Sequence, residues 1–235
     1  MSNYGKGAPL RWLENRYLGR HLRGRGIEIG ALWRRFPVHP RARVFYLDRS
    51  NTLELKAQYA AVESKIFRPD VIGEAAELPV ALGSLDFLIA SHVLEHLPFP
   101  LAALEAWYHA LAPGGVLLLK VPDKRHTFDI RRSRTPLPRL ISEHEHPESF
   151  DWRSHLVDWE ENVNARTPPE TELAQAVPDL MAGKFNIHFQ VWIDDDLLEI
   201  VEFTRRVWAF DWHLTACFKA HFYRKEVAVL LTRRK

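Results

Sequence analysis

The chain has 235 residues, 46% hydrophobic and 26% charged, enough to bury one substantial core and well outside the composition of a disordered or fibrous protein. Its 32 Lys and Arg against 30 Asp and Glu leave a formal net charge of +2, too small a surplus to imply a nucleic-acid partner. The single cysteine, Cys217, excludes an intrachain disulfide, and no apolar run reaches the roughly 18 residues that span a bilayer. The opening MSNYGKGAPLRW lacks the apolar segment of a secretory signal, so a cytoplasmic location is the expectation.

Residues 10–22, LRWLENRYLGRHL, space Leu10, Leu13, Tyr17 and Leu18 three and four apart among charges, which predicts an amphipathic helix lying on a sheet. Gly24 and Gly26 break it, and GIEIG follows as a short buried strand. After a basic loop, RVFYLDRS predicts a second strand ending in Asp48. A short helix over 53–62, a third strand in KIFRPDVIG and a strongly apolar fourth in SLDFLIASH come next. PLAALEAWYHAL reads as a helix stopped by APGG, and VLLLKVP as a fifth strand. These strands do not alternate polar with apolar, as expected of strands covered on both faces, so a parallel sheet between helical layers is favoured over an antiparallel sandwich.

From 123 to about 188 the sequence turns charged, aromatic and proline-bearing. Residues 142–164 can include helix and TPPE at 167–170 can start another, but few apolar residues are available for a separate core. The expectation is one domain over 1–235, with 123–190 as a lid or acceptor-side insertion. IDDDLLEIVEFTRRVW then has an acidic start, a basic last turn and an inward face of Leu197, Ile200, Val201 and Phe203, the pattern of a helix matched to its own dipole. Two final strands, around WHLTACFKA and EVAVLLTRR, can pair antiparallel at the sheet edge.

Taken together, IEIGALW, VFYLDRS, GEAAELP and SLDFLIASHVLEHLPFPLAALEAWYHALAPGGVLLLKVP resemble the class I methyltransferases that use S-adenosylmethionine, over roughly 24–122 and again at about 190–233. The resemblance implies an α/β fold: a Rossmann-like, mostly parallel sheet with an antiparallel C-terminal edge strand, helices on both faces, and an insertion after the fifth strand. More narrowly, EIGALW, YLDRS, VPDKRHTFDIRRSRTPLPRLISEHE and NIHFQVW resemble a bacterial subgroup that often accompanies glycosyltransferases. That likeness implies a glycan or glycolipid context.

The resemblance places Glu28 and Gly30 in the cofactor loop, where glycine lets backbone approach a ligand and Glu28 can organise the loop or meet the cationic methionine end through water. Asp48, ending the second strand, can accept from the two ribose hydroxyls, and Arg49 can cover the adenine face or point to solvent. Glu74 and Ala75 fall where the family reads the adenine edge, and Ser91 and His92 where it lines the methionine side. The loop lacks the GxGxxG that seats a pyrophosphate on a helix N-terminus, which counts against a nicotinamide cofactor.

A sulfonium methyl is already electrophilic, so the acceptor side needs orientation, exclusion of water and, for an alcohol, a base. His126, Asp129, His144, His146, His155 and His188 are the candidates, with His188 and His155 leading because NIHFQVW precedes the last core helix and WRSHLVDWE can form an adjacent helical wall. EHEHPE at 143–148 raises metal binding, but HxH supplies no closed ligand set and no metal is assigned. Lys124, Arg125, Arg131, Arg132, Arg134 and Arg139 can attract an anionic acceptor or pair internally; Trp152, Trp159 and Trp192 can stack on a sugar or anchor the insertion. The expected reaction is methyl transfer from S-adenosylmethionine to oxygen, with nitrogen second, on a polar small-molecule or carbohydrate acceptor. A homodimer is left open, and the alternatives are a noncatalytic scaffold on the same fold and an RNA methyltransferase.

Overall fold

The computed structural model describes residues 8–234. A seven-stranded sheet carries the order β3-β2-β1-β4-β5-β7-β6. Its strands are β1 (Arg25–Ile29), β2 (Arg43–Asp48), β3 (Val71–Ile72), β4 (Leu85–Ser91), β5 (Leu111–Pro122), β6 (Trp212–Phe218) and β7 (Glu226–Arg233). The first five pair in parallel, whereas β7 runs antiparallel to both β5 and β6 and lies between them. The terminal pairing is thus as expected, with β6 rather than β7 outermost.

The unalternating apolar runs have a direct physical cause. Successive side chains of a strand point to opposite faces, and here both faces are covered. Leu88, Ala90, Leu117, Leu119, Val121, Val227 and Val229 join one core, while Phe87, Ile89, Val116, Leu118, Ala228 and Leu230 join the other. The first core is completed by α3 (Pro100–Ala110) and α7 (Asp194–Val207), which contribute Leu101, Leu104, Trp107, Leu197 and Ile200. The second is completed by Leu18 of α1 (Ala8–Gly19), by Leu22 and by Phe36.

The α1 helix forms and Leu18 faces inward as its spacing predicts, but Leu10 and Leu13 do not share that face. Leu10 and Leu13 are 54% and 56% exposed, whereas Glu14 is buried. The reason lies in the sheet. Lys120 of β5 is 3% exposed, and a buried ammonium needs carboxylate and amide partners more than it needs another leucine. Its Nζ donates to Glu226 Oε1 at 2.6 Å and to Asn15 Oδ1 at 3.1 Å, with Glu14 Oε1 at 3.9 Å.

Helix ends follow local rules. Asn51 caps α2 (Thr52–Gln58): its Oδ1 accepts from the N–H of Leu53 at 2.9 Å and of Glu54 at 3.2 Å, and Glu54 accepts the Asn51 N–H in return at 3.0 Å. In α7 the Ile193 N–H donates to Asp196 at 2.8 Å, which fixes the acidic first turn. The β5 ladder begins at Leu111, before APGG, and its register against β4 shifts between Leu85 and Phe87.

After β5 come α4 (Leu137–Glu145), α5 (Trp152–Asn162) and α6 (Glu170–Met181). This region holds more of a core than its composition suggests. Phe150, Leu156, Leu173, Leu180, Ile187 and Phe189 form a separate buried cluster, with Trp152, Trp159 and Phe185 against it. Among the described residues no helix is long and apolar enough to cross a membrane.

Candidate active site

Parallel strands that start together also end together, so the residues just past β1, β2, β3 and β4 face one cleft at the carboxyl edge of the sheet. A cavity of about 1280 Å³ occupies it. All eight residues expected around the cofactor line this cavity: Glu28, Gly30, Asp48, Arg49, Glu74, Ala75, Ser91 and His92. It is larger than the ~300–1,000 Å³ of most single-ligand pockets, which leaves room for a donor and an acceptor together.

The turn after β1 uses its one glycine where geometry requires it. Gly30 has φ +63°, and a Cβ there would lie 3.2 Å from Val93 Cγ2. Its N–H donates to Leu47 O at 2.9 Å, tying the turn to β2. Leu32 (φ 49°) and His92 (φ 57°) line the same cavity with positive φ despite carrying side chains, and such backbone strain gathers at ligand sites.

Glu28 is buried under the loop, and its carboxylate accepts from the Phe36 N–H at 2.9 and 3.1 Å. Burial outweighs that bond and nearby Arg35, pushing its pKa up to about 7. Asp48 likewise lies above the usual carboxylate range because burial outweighs the backbone N–H groups of Ser50 and Arg49. The Ser50 N–H is a long 3.4 Å from Asp48 Oδ1, and the Arg49 guanidinium is turned to Gly183 O at 2.8 Å. A carboxylate held without a tight ion pair at the cavity wall has acceptor capacity to spare for a vicinal diol. The adenosine ribose has one, so the residues present fit S-adenosylmethionine. Ala75 is fixed by the Trp107 indole N–H, which donates to its carbonyl at 2.7 Å.

His92 closes the other end. Its Nε2 bonds Glu226 Oε2 at 2.7 Å, and Nδ1 lies 3.3 Å from Glu95 Oε1. Burial opposes the imidazolium, but the two carboxylates overcome it and lift the pKa to about 10. The two carboxylates thus favour the protonated ring and make His92 a poor base.

The two leading base candidates are placed differently. His188 Nδ1 bonds Asp129 Oδ2 at 2.7 Å, and Asp129 is held by Arg132 Nη1 at 2.9 Å. Its ring sits 4.7 Å from that of His96, which lines the cavity. His155 stands apart: it stacks on Phe150 at 4.6 Å and its Nε2 is 2.7 Å from Arg139 Nη2; like His188, it does not itself line the cavity. His144 packs on Trp208, and His146 lies beside Glu148 at 3.5 Å, so EHEHPE does not converge on one point. Several basic residues pair internally: Arg125 with Asp123 and Asp194, Arg132 with Asp129 and Asp158, Arg134 with Asp196. Trp152 lines the cavity, Trp159 packs near His188, and Trp192 is 1% exposed in the main core, where it can anchor but cannot stack on a sugar. Sequence reasoning missed Lys120, Glu226 and Glu14 beneath Ser91 and His92, because a lone charge in an apolar run has no local signal of its partner.

Comparison with known proteins agrees with this geometry. A relative from Streptomyces avermitilis, trans-aconitate 2-methyltransferase, is 32% identical over 120 residues, 51% of this chain and 41% of that protein. The match thus spans well under half of the relative. Among solved structures, a Rhodobacter sphaeroides protein with a provisional Zn-dependent alcohol dehydrogenase description aligns with TM-score 0.57 at 15% identity, covering 95% of this chain and 90% of that one. An S-adenosylmethionine-dependent methyltransferase from Mesorhizobium loti aligns with TM-score 0.52 at 13% identity, covering 97% and 99%. At such identities these likenesses speak for the fold alone. The methyltransferase-domain family profile matches residues 15–170, and with the strand order and carboxyl-edge cavity described above it makes the chain a member of that family, with the fold of the class I S-adenosylmethionine-dependent methyltransferases.

Proposed function

We propose that the enzyme methylates a hydroxyl oxygen of a polar, glycan-related acceptor. The observation that carries this reading is the composition of the cavity beyond the cofactor residues: Trp152, Phe185, Asn186 and Phe189 of the post-β5 region face the strand ends, so aromatic faces and an amide surround the space left for an acceptor. Aromatic faces suit sugar rings. The likeness of EIGALW and NIHFQVW to the glycosyltransferase-associated subgroup supports the same class. Residues 123–190 act in this reading as the acceptor-side lid of a single domain.

Bound S-adenosylmethionine supplies an electrophilic methyl on a sulfonium. Asp48 accepts from the ribose hydroxyls, Gly30 and Ala75 bring backbone against the ligand, and Glu74 and Arg49 flank the adenine. Glu28 and Ser91 would border the methionine portion, and His92, anchored on Glu226, would meet its carboxylate. The Asp129–His188 pair assists loss of the acceptor proton, since the Asp129 carboxylate holds Nδ1–H and leaves Nε2 with its lone pair. His155, committed to Arg139 and Phe150, supports the lid in this reading.

Mass analysis of reactions with nucleotide-linked sugars, free sugars, small carboxylic acids and amines tests the assignment. Methyl gain on a sugar hydroxyl is expected. The arginines Arg11, Arg34 and Arg35 at the cavity and the name of the Streptomyces relative make a small carboxylate the second reading. Methyl found only on carboxylates or amines overturns the first.

A further inference from the structure

Glu95 poses a problem that the cofactor site does not solve. It is 0% exposed, in the turn after β4, and neither carboxylate oxygen has a hydrogen-bond partner. The His92 ring, with Nδ1 3.3 Å from Oε1, offsets the charge of Glu95 but leaves both oxygens short of a hydrogen bond. A buried carboxylate without donors is costly, and a native fold keeps one where something else satisfies it.

Two histidines stand beside it, each with Nδ1 already used. His96 Nδ1 lies 2.8 Å from Ile187 O; a carbonyl only accepts, so Nδ1 carries the proton and Nε2 has the lone pair. His188 Nδ1 lies 2.7 Å from Asp129 Oδ2, which again leaves Nε2 as the acceptor. Backbone locks the pieces together: the N–H groups of Phe189 and Gln190 both donate to Glu95 O, at 2.8 and 3.1 Å. One ligand atom from each of Glu95, His96 and His188 lies within 4.8 Å of the others. Ligand atoms sharing an ion at bonds of about 2.0–2.2 Å sit ~3–4 Å apart, so side-chain shifts of an ångström or less close the set. Histidines held at Nδ1 by a carboxylate and a carbonyl are the arrangement that orients imidazole toward a metal.

We propose that Glu95, His96 and His188 bind one divalent transition-metal ion, with Asp129 and the Ile187 carbonyl orienting the two imidazoles. Two imidazoles and one carboxylate suit zinc, iron(II) or cobalt(II) rather than magnesium or calcium, and three protein ligands leave open positions. His96 lines the cavity, so those positions adjoin the acceptor space. The inference rests on the methyl-transfer reading and changes one part of it: with the ion bound, His188 Nε2 is a ligand and not the group that takes the acceptor proton. An acceptor hydroxyl on the ion is acidified and its proton passes to solvent water. The oxygen then bonds the methyl carbon as the carbon–sulfur bond breaks, and the bond's electron pair stays on sulfur, giving S-adenosylhomocysteine.

The test uses the full chain, freed of metal with a chelator and titrated with cobalt(II) chloride or zinc chloride, read by calorimetry and by the visible cobalt spectrum. One equivalent is expected, with cobalt bands of an imidazole-bearing site. Glu95→Gln and His188→Ala should abolish binding, Asp129→Asn should weaken it about 10- to 100-fold, and His146→Ala should leave it unchanged. Each variant is titrated in parallel with S-adenosylhomocysteine, which reports folding and the cofactor site separately. If the protein binds S-adenosylhomocysteine but takes up no metal, or if Glu95→Gln and His188→Ala bind metal as the wild type does, the inference falls while methyl transfer stands. Metal uptake with no S-adenosylhomocysteine binding overturns the catalytic role given to the ion and the methyl-transfer reading with it.

Discussion

Asp48→Asn separates ligand binding from folding. In the free protein the Asp48 carboxylate is raised in pKa by burial, and its nearest cation, Arg49, is spent on Gly183 O at 2.8 Å. An acid whose folded pKa lies above its unfolded value destabilises the fold when ionised, and that cost is relieved as pH falls through the folded pKa toward the unfolded one. At pH 7 the neutral amide removes this cost, so the melting temperature should stay level or rise. Affinity should move the other way. The amide replaces one of two acceptor oxygens with a donor, so one of the two ribose bonds is lost. Hydrogen bonds to charged groups contribute about 1.5–3 kcal/mol, which predicts a drop of about 10- to 150-fold in S-adenosylhomocysteine affinity. Calorimetric titration beside thermal denaturation measures both. An affinity within threefold of wild type refutes the ribose assignment, and a large fall in melting temperature shows that Asp48 holds the fold instead.

Three further expectations follow from the same geometry. Trp107→Ala empties a site at 0% exposure and removes the indole bond to Ala75 O, so it should cost about 3–5 kcal/mol by denaturant unfolding and weaken S-adenosylhomocysteine binding too; an unchanged midpoint would contradict the packing. With its pKa raised to about 7 by burial, Glu28 should behave as a stability liability that grows with pH. Glu28→Gln should accordingly melt above wild type at pH 8 and converge with it near pH 4.5, and a gap independent of pH would show the carboxyl titrating normally. Finally, His188→Asn should reduce the methyl-transfer rate by about 10²-fold or more, while His155→Asn should lower stability and leave the rate within tenfold; the reverse order in a single-turnover assay would place the acceptor at His155.

Much of the cleft at the strand ends was legible because its information is local. The runs LDFLIAS and VLLLKVP could only be strands covered on both faces, and once the sheet is parallel its strands end at one edge. Glu28, Asp48 and Ser91, each at or near a strand end, then had to meet at one cleft, whatever the rest of the chain did. The capping box at Asn51 and the acidic start of the last helix are equally local, since they satisfy backbone groups within a few residues.

The arrangement of residues 123–190 was decided by contacts between residues far apart in sequence, for which no period or spacing stands proxy. Histidines at 126, 144, 146, 155 and 188 look alike in the chain; only the fold sends His188 to Asp129 and His96, and His155 to Arg139 and Phe150. Likewise Leu10 and Leu13 mark a plausible inward face of the first helix. They lose it to Glu14 because β5 presents a buried ammonium whose desolvation must be offset by charge. Backbone geometry and apolar periodicity follow from neighbours along the chain, so the sequence determines them. The pairing of buried charges is an electrostatic balance across strands and helices, and it exists only once the tertiary structure has brought the partners out of water.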